Sequence, residues 1–276
     1  MNNIVVEKII ENALLEDMPF GDITTDSIFT GNEISEAVFI AKESGVIAGL
    51  WVAEMVFRKI DEEVNFEKIS EEGESVKAGT VIARIKGKSA SLLKGERIAL
   101  NLLQRMCGIA TKTKGFADKL EASNTVVADT RKTTPGLRIL EKYAVRTGGG
   151  TNHRFSLSDA VMIKDNHIKA AGGIKQAVEK VRKHMPHTAA VEVETSNLTE
   201  VAEAIEAGAD IIMLDNMDSE TIRRAVEIIN KKASVEVSGN ITEDNILERA
   251  VDGIDIISSG ALTHSVKSMD ISMKFI

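Results

Sequence analysis

At 276 residues, with 43% hydrophobic and 28% charged side chains, the chain has an ordinary globular balance and room for one large α/β unit or two domains. Its formal net charge of −8 argues against a nucleic-acid binder, and its most apolar window, residues 37–57, is too interrupted by Lys42, Glu43 and Glu54 to span a bilayer. The single cysteine, Cys107, allows no internal disulfide, and the N-terminus shows no export signal, so a cytoplasmic protein is expected.

In chain order, Ile4, Val5, Ile9, Ile10, Ala13 and Leu14 recur near helical spacing and predict an amphipathic helix over 4–16, ended by Pro19. GDITTDS, residues 21–27, reads as turn and cap chemistry. Strand-like runs follow at 36–41, 64–69 and 81–86, with a helical segment at 50–60, a mixed order that predicts an α+β module. Residues 71–87 resemble the turn-rich strands of lipoyl or biotinyl carrier domains in sheet geometry only, with no lysine placed to take a prosthetic group. A further helix is predicted over 91–106 from the stripe Leu92, Leu93, Ile98, Ala99, Leu102, Leu103 and Met106, with Cys107 as small buried filler at its end.

Residues 129–167 then gather Arg131, Lys132, Arg138, Lys142, Arg146, Arg154 and Lys164, with His153 and His167. Only Asp129, Glu141, Asp159 and Asp165 oppose them. Pro135 and Gly148–Gly150 interrupt the charges, so a helical face is not expected; a local cationic pocket in an acidic protein suits a small anionic ligand.

From Thr125 onward strands and helices alternate. Strands are predicted at 125–130, 160–165, 189–195, 210–216, 234–240 and 255–260, with helices at 174–184, 197–207, 219–231 and 243–251. The strand-end residues Lys164, Glu194, Asp215, Ser238 and Ser259 are 30, 21, 23 and 21 residues apart. That near-constant period, with strands apolar on both faces, points to a parallel sheet closed or partly closed into a barrel. Every strand ends in a residue able to bind or catalyse, as a shared barrel mouth requires.

At that mouth Arg131, Lys132, His153, Arg154 and Lys164 form a positive floor suited to several carboxylate or phosphate groups. Glu194 and Asp215 suit Mg²⁺ or ribose hydroxyls, or ion pairs with the neighbouring cations. Ser238-Gly239-Asn240 and Ser258-Ser259-Gly260-Ala261 read as a phosphate cradle or as two tight turns. No Ser/His/Asp set, zinc-ligand spacing or GxGxxG supports acyl transfer, zinc hydrolysis or dinucleotide chemistry.

The chain resembles the quinolinate phosphoribosyltransferases. The motifs run in the family's order: EDMPFGDITT (16–25), ERIALNLLQRMCGIAT (96–111), DTRKTTPGLR (129–138), GGGTNHR (148–154), LSDAVMIKDNH (157–167), EVET (192–195), IMLDN (212–216), SGNI (238–241) and SSGALTHS (258–265). The resemblance implies an N-terminal α/β sandwich domain over 1–107 and an incomplete α/β barrel over 108–267, with the tail 268–276 packing on the first. It implies transfer of a phosphoribosyl group from PRPP to quinolinate with Mg²⁺, and a homodimer with shared active sites, any larger assembly being left open. Arg131, His153, Arg154 and Lys164 would bind quinolinate, with Arg97 reaching in from the partner subunit. Lys132, Glu194 and Asp215 would serve PRPP and the metal, Lys132, Lys164, Glu194 and Asp215 being the catalytic set. Ser238, Gly239, Asn240, Ser259, Gly260 and Ala261 would hold the 5′-phosphate; Asn240 stands where the family commonly has glycine.

Overall fold

The computed structural model describes residues 3–276, and its contacts divide the chain into two compact units. The first comprises the chain up to Lys114 with Thr134–Gly149 and Ser265–Ile276; the second comprises Gly115–Thr133 and Gly150–His264. The boundary at 114/115 and the expected cut at 107/108 both fall within one unbroken helix.

The first unit begins with α1 (Asn3–Asp17), whose buried seam is Val6, Ile10 and Leu14, one residue per turn. Ile4 and Val5, counted in the predicted stripe, lie exposed. Residues 21–27 are not a plain turn: Asp22 accepts the Thr25 N–H at 3.0 Å and so caps a short helix, α2 (Ile23–Ile28). Next come β1 (Ile34–Ala41), β2 (Gly45–Val46), α3 (Leu50–Ile60), β3 (Asn65–Lys68), β4 (Ser75–Val76) and β5 (Val81–Lys88). β1 pairs antiparallel with β5 on one side and with the chain's last strand, Ile271–Phe275, on the other, while β3 pairs with β5. The tail therefore belongs to this sheet. Phe39, Phe57 and Phe66 meet between sheet and α3, with ring centroids 5.6–6.1 Å apart.

The predicted helix at 91–106 is the first half of α4 (Ser89–Leu120). Past the predicted end the helix continues through Gly108 and the polar run TKTK, where the Thr111 and Thr113 hydroxyls turn back onto the Cys107 and Ile109 carbonyls at 2.7 and 2.8 Å, keeping their polar atoms inside the helix.

The second unit opens with β6 (Val126–Ala128), after which the chain returns to the first unit as α5 (Arg138–Thr147). This corrects the reading of residues 129–167 as one cationic pocket without a helix. Glu141 and Lys142 are buried on α5, and Glu141 accepts from Arg105 Nε at 2.7 Å and from the Thr134 N–H at 3.1 Å. Lys142 is thus part of the packing of the first unit, while Arg138 and Arg146 stand on the same helix, Arg146 exposed.

The remainder is β7 (Val161–Ile163), α6 (Asp165–Ala171), α7 (Ile174–Arg182), β8 (Val191–Thr195), α8 (Leu198–Glu206), β9 (Ile211–Asp215), α9 (Ser219–Ile229), β10 (Ser234–Ser238), α10 (Ile246–Arg249), β11 (Ile256–Ser258) and α11 (Ala261–His264), followed by β12 (Ile271–Phe275) in the first unit. β6 to β11 make one parallel sheet in the order β6-β11-β10-β9-β8-β7. β6 and β7 follow one another among the strands yet occupy opposite edges with no ladder between them; this is an α/β barrel left incomplete at one seam.

Strand periodicity then sorts the side chains. Val191, Val193, Ile212, Leu214, Val235 and Val237 form one buried, apolar set. The alternate set is not apolar as expected: Glu194, Asp215 and Ser238 stand at the strand exits, with Glu192, Met213 and Glu236 two residues earlier, Ser238 beside Asp215 and Glu236 beside Met213 in register.

Candidate active site

The strand exits of the second unit enclose a pocket of about 460 Å³. Arg131, Lys132, His153, Arg154, Lys164, Glu194, Asp215, Ser238, Gly239 and Asn240, all singled out in the sequence, line it. Arg97, Ser259, Gly260 and Ala261 do not; Arg97 lies exposed on α4.

The cationic side is built on Asp129, which the sequence reading treated as a mere counter-charge. It is fully buried; one oxygen accepts the His153 N–H at 3.0 Å and the other the Asn152 side-chain amide at 2.6 Å. Together with the Ala128–Thr151 bridge, these bonds fasten the Asn152–Arg154 segment beside the end of β6. Arg154 donates through Nη1 to the Ala160 carbonyl at 2.9 Å, and burial followed by the charge of Arg131 holds it below the ordinary arginine range. Two guanidiniums that repel one another beside a pocket favour an anion between them. Lys164 pairs with Glu194 across the pocket.

His153 lines the pocket but is not the free cationic donor it was expected to be. Its Nδ1 accepts the Arg154 backbone N–H at 2.7 Å, and its Nε2 lies 3.1 Å from Glu192 Oε2 and 3.7 Å from Glu236 Oε1. Burial, and then the Glu192 carboxylate, push Glu236 up to about 7. The possible donor atoms of His153, Glu192 and Glu236 lie within 4.8 Å of one another, a set behind the pocket wall, since neither glutamate lines it.

The opposite side is organised by Asn216. Its side-chain amide donates to Asp215 Oδ2 at 2.8 Å and accepts from Asn240 Nδ2 at 3.0 Å, while its backbone N–H donates to the Ser238 carbonyl at 3.0 Å. Gly239, at φ +98°, has no room for a Cβ, which would meet the Asn216 amide and come within 2.8 Å of its backbone nitrogen. At the next exit Ser258 lines the pocket, whereas Ser259, expected to hold the phosphate, does not line it and donates to the Ile241 carbonyl at 2.8 Å. A Cβ on Gly260 would come within 2.9 Å of Lys132 Cδ, so this turn sits against the Lys132 stem instead of lining the pocket. Thr263 Oγ1 fixes the same lysine by donating to its carbonyl at 2.8 Å.

Glu194 and Asp215 offer hard oxygen donors on adjacent strand exits, a set that fits Mg²⁺ carried by a phosphorylated ligand. Missed from the sequence as parts of the site were Asp129, Glu192, Asn216 and Glu236. The signal for the two glutamates was present: in VEVET and SVEVS a glutamate stands two residues before a pocket residue, hence on the same strand face.

An incomplete α/β barrel whose mouth sets arginines and lysines against two carboxylates defines an enzyme of the phosphate-and-carboxylate-handling kind. Similarity to known proteins sharpens the class. Residues 22–107 match the family model "Quinolinate phosphoribosyl transferase, N-terminal domain", and residues 109–274 match the corresponding C-terminal domain. The chain is 45% identical over 273 residues to a Bacillus subtilis protein named probable nicotinate-nucleotide pyrophosphorylase [carboxylating], covering 99% of this chain and 94% of that one. The NadC crystal structure from Streptococcus pyogenes superposes with a TM-score of 0.95 at 43% identity, covering 100% and 99% of the two chains. That of nicotinate-nucleotide pyrophosphorylase from Francisella tularensis gives a TM-score of 0.95 at 39% identity, covering 100% and 98%. The chain belongs to the quinolinate phosphoribosyl transferase family.

Proposed function

We propose that this protein transfers the phosphoribosyl group of PRPP to the ring nitrogen of quinolinate with loss of the 2-carboxylate, giving nicotinate mononucleotide, pyrophosphate and CO₂. It is thus a pentosyltransferase of NAD biosynthesis. The observation that carries the assignment is the single pocket in which Arg131, Lys132, Arg154 and Lys164 face Glu194 and Asp215, in a chain of this family. A dicarboxylate matches paired arginines better than a monocarboxylate such as nicotinate does.

Arg131, Arg154 and Lys164 bind the two carboxylates and orient the ring nitrogen towards C1 of the ribose, with Arg97 contributed by the partner subunit of a homodimer. Ser238, Gly239 and Asn240 receive the 5′-phosphate, with Ser259, Gly260 and Ala261 supporting the neighbouring turn and Lys132. As the nitrogen–carbon bond forms, the bond to pyrophosphate breaks and positive charge develops on the ribose. Glu194 and Asp215 stabilise that charge, while Lys132 offsets the charge leaving with pyrophosphate. Mg²⁺, held by the same two carboxylates through PRPP, would further neutralise the departing group. When the bond from C2 to its carboxylate then breaks, CO₂ leaves and the electron pair stays on C2, stabilised by the positive charge of the adjacent alkylated ring nitrogen. Lys164 steadies the resulting carbanion until a proton replaces the CO₂.

No helix among the described residues is long and apolar enough to cross a membrane. We place the enzyme in the cytosol, without a nucleic-acid partner, in keeping with its negative net charge and lone buried cysteine. The decisive assay follows pyrophosphate and CO₂ released from PRPP with quinolinate, against nicotinate as control. Quinolinate must support both products; equal turnover with nicotinate would overturn the dicarboxylate assignment.

A further inference from the structure

Behind the pocket wall lies a group of side chains that the reaction above leaves without a task. Glu192 and Glu236 are 4% and 2% exposed, and each stands two residues before a pocket residue of its own strand, Glu194 and Ser238. Both face His153 Nε2. The second ring nitrogen, Nδ1, accepts the N–H of Arg154 at 2.7 Å. A nitrogen that accepts carries no proton, so the ring proton is on Nε2 and is directed at the glutamates. The imidazole is therefore a strut with two fixed ends. One end meets the Glu192 carboxylate of β8 at 3.1 Å, with Glu236 of β10 flanking it at 3.7 Å, beyond hydrogen-bond reach; the other holds the backbone of Arg154, a residue of the pocket wall.

We propose that Glu192 and Glu236 are positioning residues for the substrate site, fixing His153 as the Nε2–H form, which in turn fixes the placement of Arg154. This rests on the reading that Arg154 binds a substrate carboxylate. Neither glutamate touches substrate. Their effect passes through the imidazole and one peptide N–H to Arg154, so it falls on the dicarboxylate and leaves PRPP, to which neither His153 nor Arg154 is assigned, largely unaffected. Shifting a binding group by an ångström from a distance is enough to cost one or two orders of magnitude.

The test uses the full-length protein with Glu192→Leu and Glu192→Gln, reading KM for each substrate, kcat, and the imidazole nitrogen signals of His153 in ¹⁵N-histidine-labelled protein. With only five histidines, a His153→Asn sample assigns the signal. In the unaltered protein the spectrum should show a neutral ring protonated at Nε2. Glu192→Leu should raise KM for quinolinate roughly tenfold or more, leave KM for PRPP within about twofold, and erase that tautomer signature, while Glu192→Gln, which keeps an acceptor, recovers most of both. A doubly protonated or Nδ1–H ring in the unaltered protein would overturn the proposal, as would equal rises in both KM values. If Glu192→Leu does not fold, the unaltered spectrum and Glu192→Gln decide. If the unaltered enzyme fails to turn over quinolinate with PRPP, the functional reading falls instead, and the tautomer still reports on the strut.

Discussion

Asn216 and Asn240 join the exits of β9 and β10 through a 3.0 Å side-chain hydrogen bond, and both adopt left-handed backbone conformations, φ 55° and 51°. Asparagine tolerates that region better than most residues, but two in succession across neighbouring loops need a reason. The reason is the junction itself: Asn216 also donates to Asp215 and fills the space a Cβ on Gly239 would occupy. One amide thereby sets both a carboxylate proposed for PRPP and the turn proposed for its phosphate.

Gly239→Ala should accordingly raise KM for PRPP by roughly tenfold or more, through backbone strain and displacement of Asn216, with a smaller effect on quinolinate. Asn216→Ala should act in the same direction more weakly, as loss of neutral hydrogen bonds of about 1 kcal/mol each predicts. Steady-state kinetics with each substrate varied in turn checks both. An unaltered KM for PRPP in Gly239→Ala would separate this turn from the phosphate.

Arg131→Ala should weaken quinolinate far more than PRPP. Charge-assisted hydrogen bonds are worth about 1.5–3 kcal/mol, which corresponds to roughly ten- to a hundredfold in affinity. Calorimetric titration with each substrate measures the split, and equal losses would remove Arg131 from the dicarboxylate site.

Glu236 should leave a signature in stability against pH. With its carboxyl raised from 4.5 to about 7 in the fold, the native state keeps a proton that the unfolded chain has already released between those values. The native state then binds more protons than the unfolded one, so this group's contribution to stability falls as pH rises through that window. Glu236→Gln has no such titration. Relative to the unaltered protein it should gain stability from about pH 5 to about pH 8, seen as a widening difference in urea midpoints. A constant difference across that range would show that the carboxyl is not raised.

Cys107 should resist alkylation. Burial pushes its thiol up to about 12, and its sulfur is engaged with the backbone of Ala48. Iodoacetamide at neutral pH should modify it only after unfolding, as intact-mass measurement would record; rapid native modification would contradict the burial.

Much of this was legible in the sequence because it followed from local pattern. The parallel strands came from short apolar runs at a repeating spacing, and the pocket cations from their position after those runs. What was not legible depended on contacts remote in sequence. Arg138, Lys142 and Arg146 look in the chain like part of the cationic site, but none of them lines the pocket, and α5, which carries them, belongs to the first unit. The exchange of Ser258 for Ser259 turned on where the short strand β11 ends, a one-residue matter that reverses which side chain faces inward. His153 was misjudged for the same reason: its partners, Glu192 and Glu236, are some forty and eighty residues away in the chain, and only the fold brings them to its ring.

Arg97 carries the proposal of shared active sites. It stands exposed on α4 and is not among the residues lining its own chain's pocket, while the family resemblance gives it a substrate role. If it serves a neighbouring subunit, Arg97→Ala should lose activity without losing thermal stability, because an exposed helix position tolerates alanine well. Lys164→Ala should be inactive for a different reason, the loss of a group inside the pocket. A heterodimer of the two variants contains one site in which both residues are intact. Mixing them under conditions of verified subunit exchange should therefore restore up to about a quarter of the activity of the same concentration of unaltered protein, since about half the dimers are mixed and each has one competent site of two. Should exchange proceed with no recovery, each chain must use its own Arg97 or none.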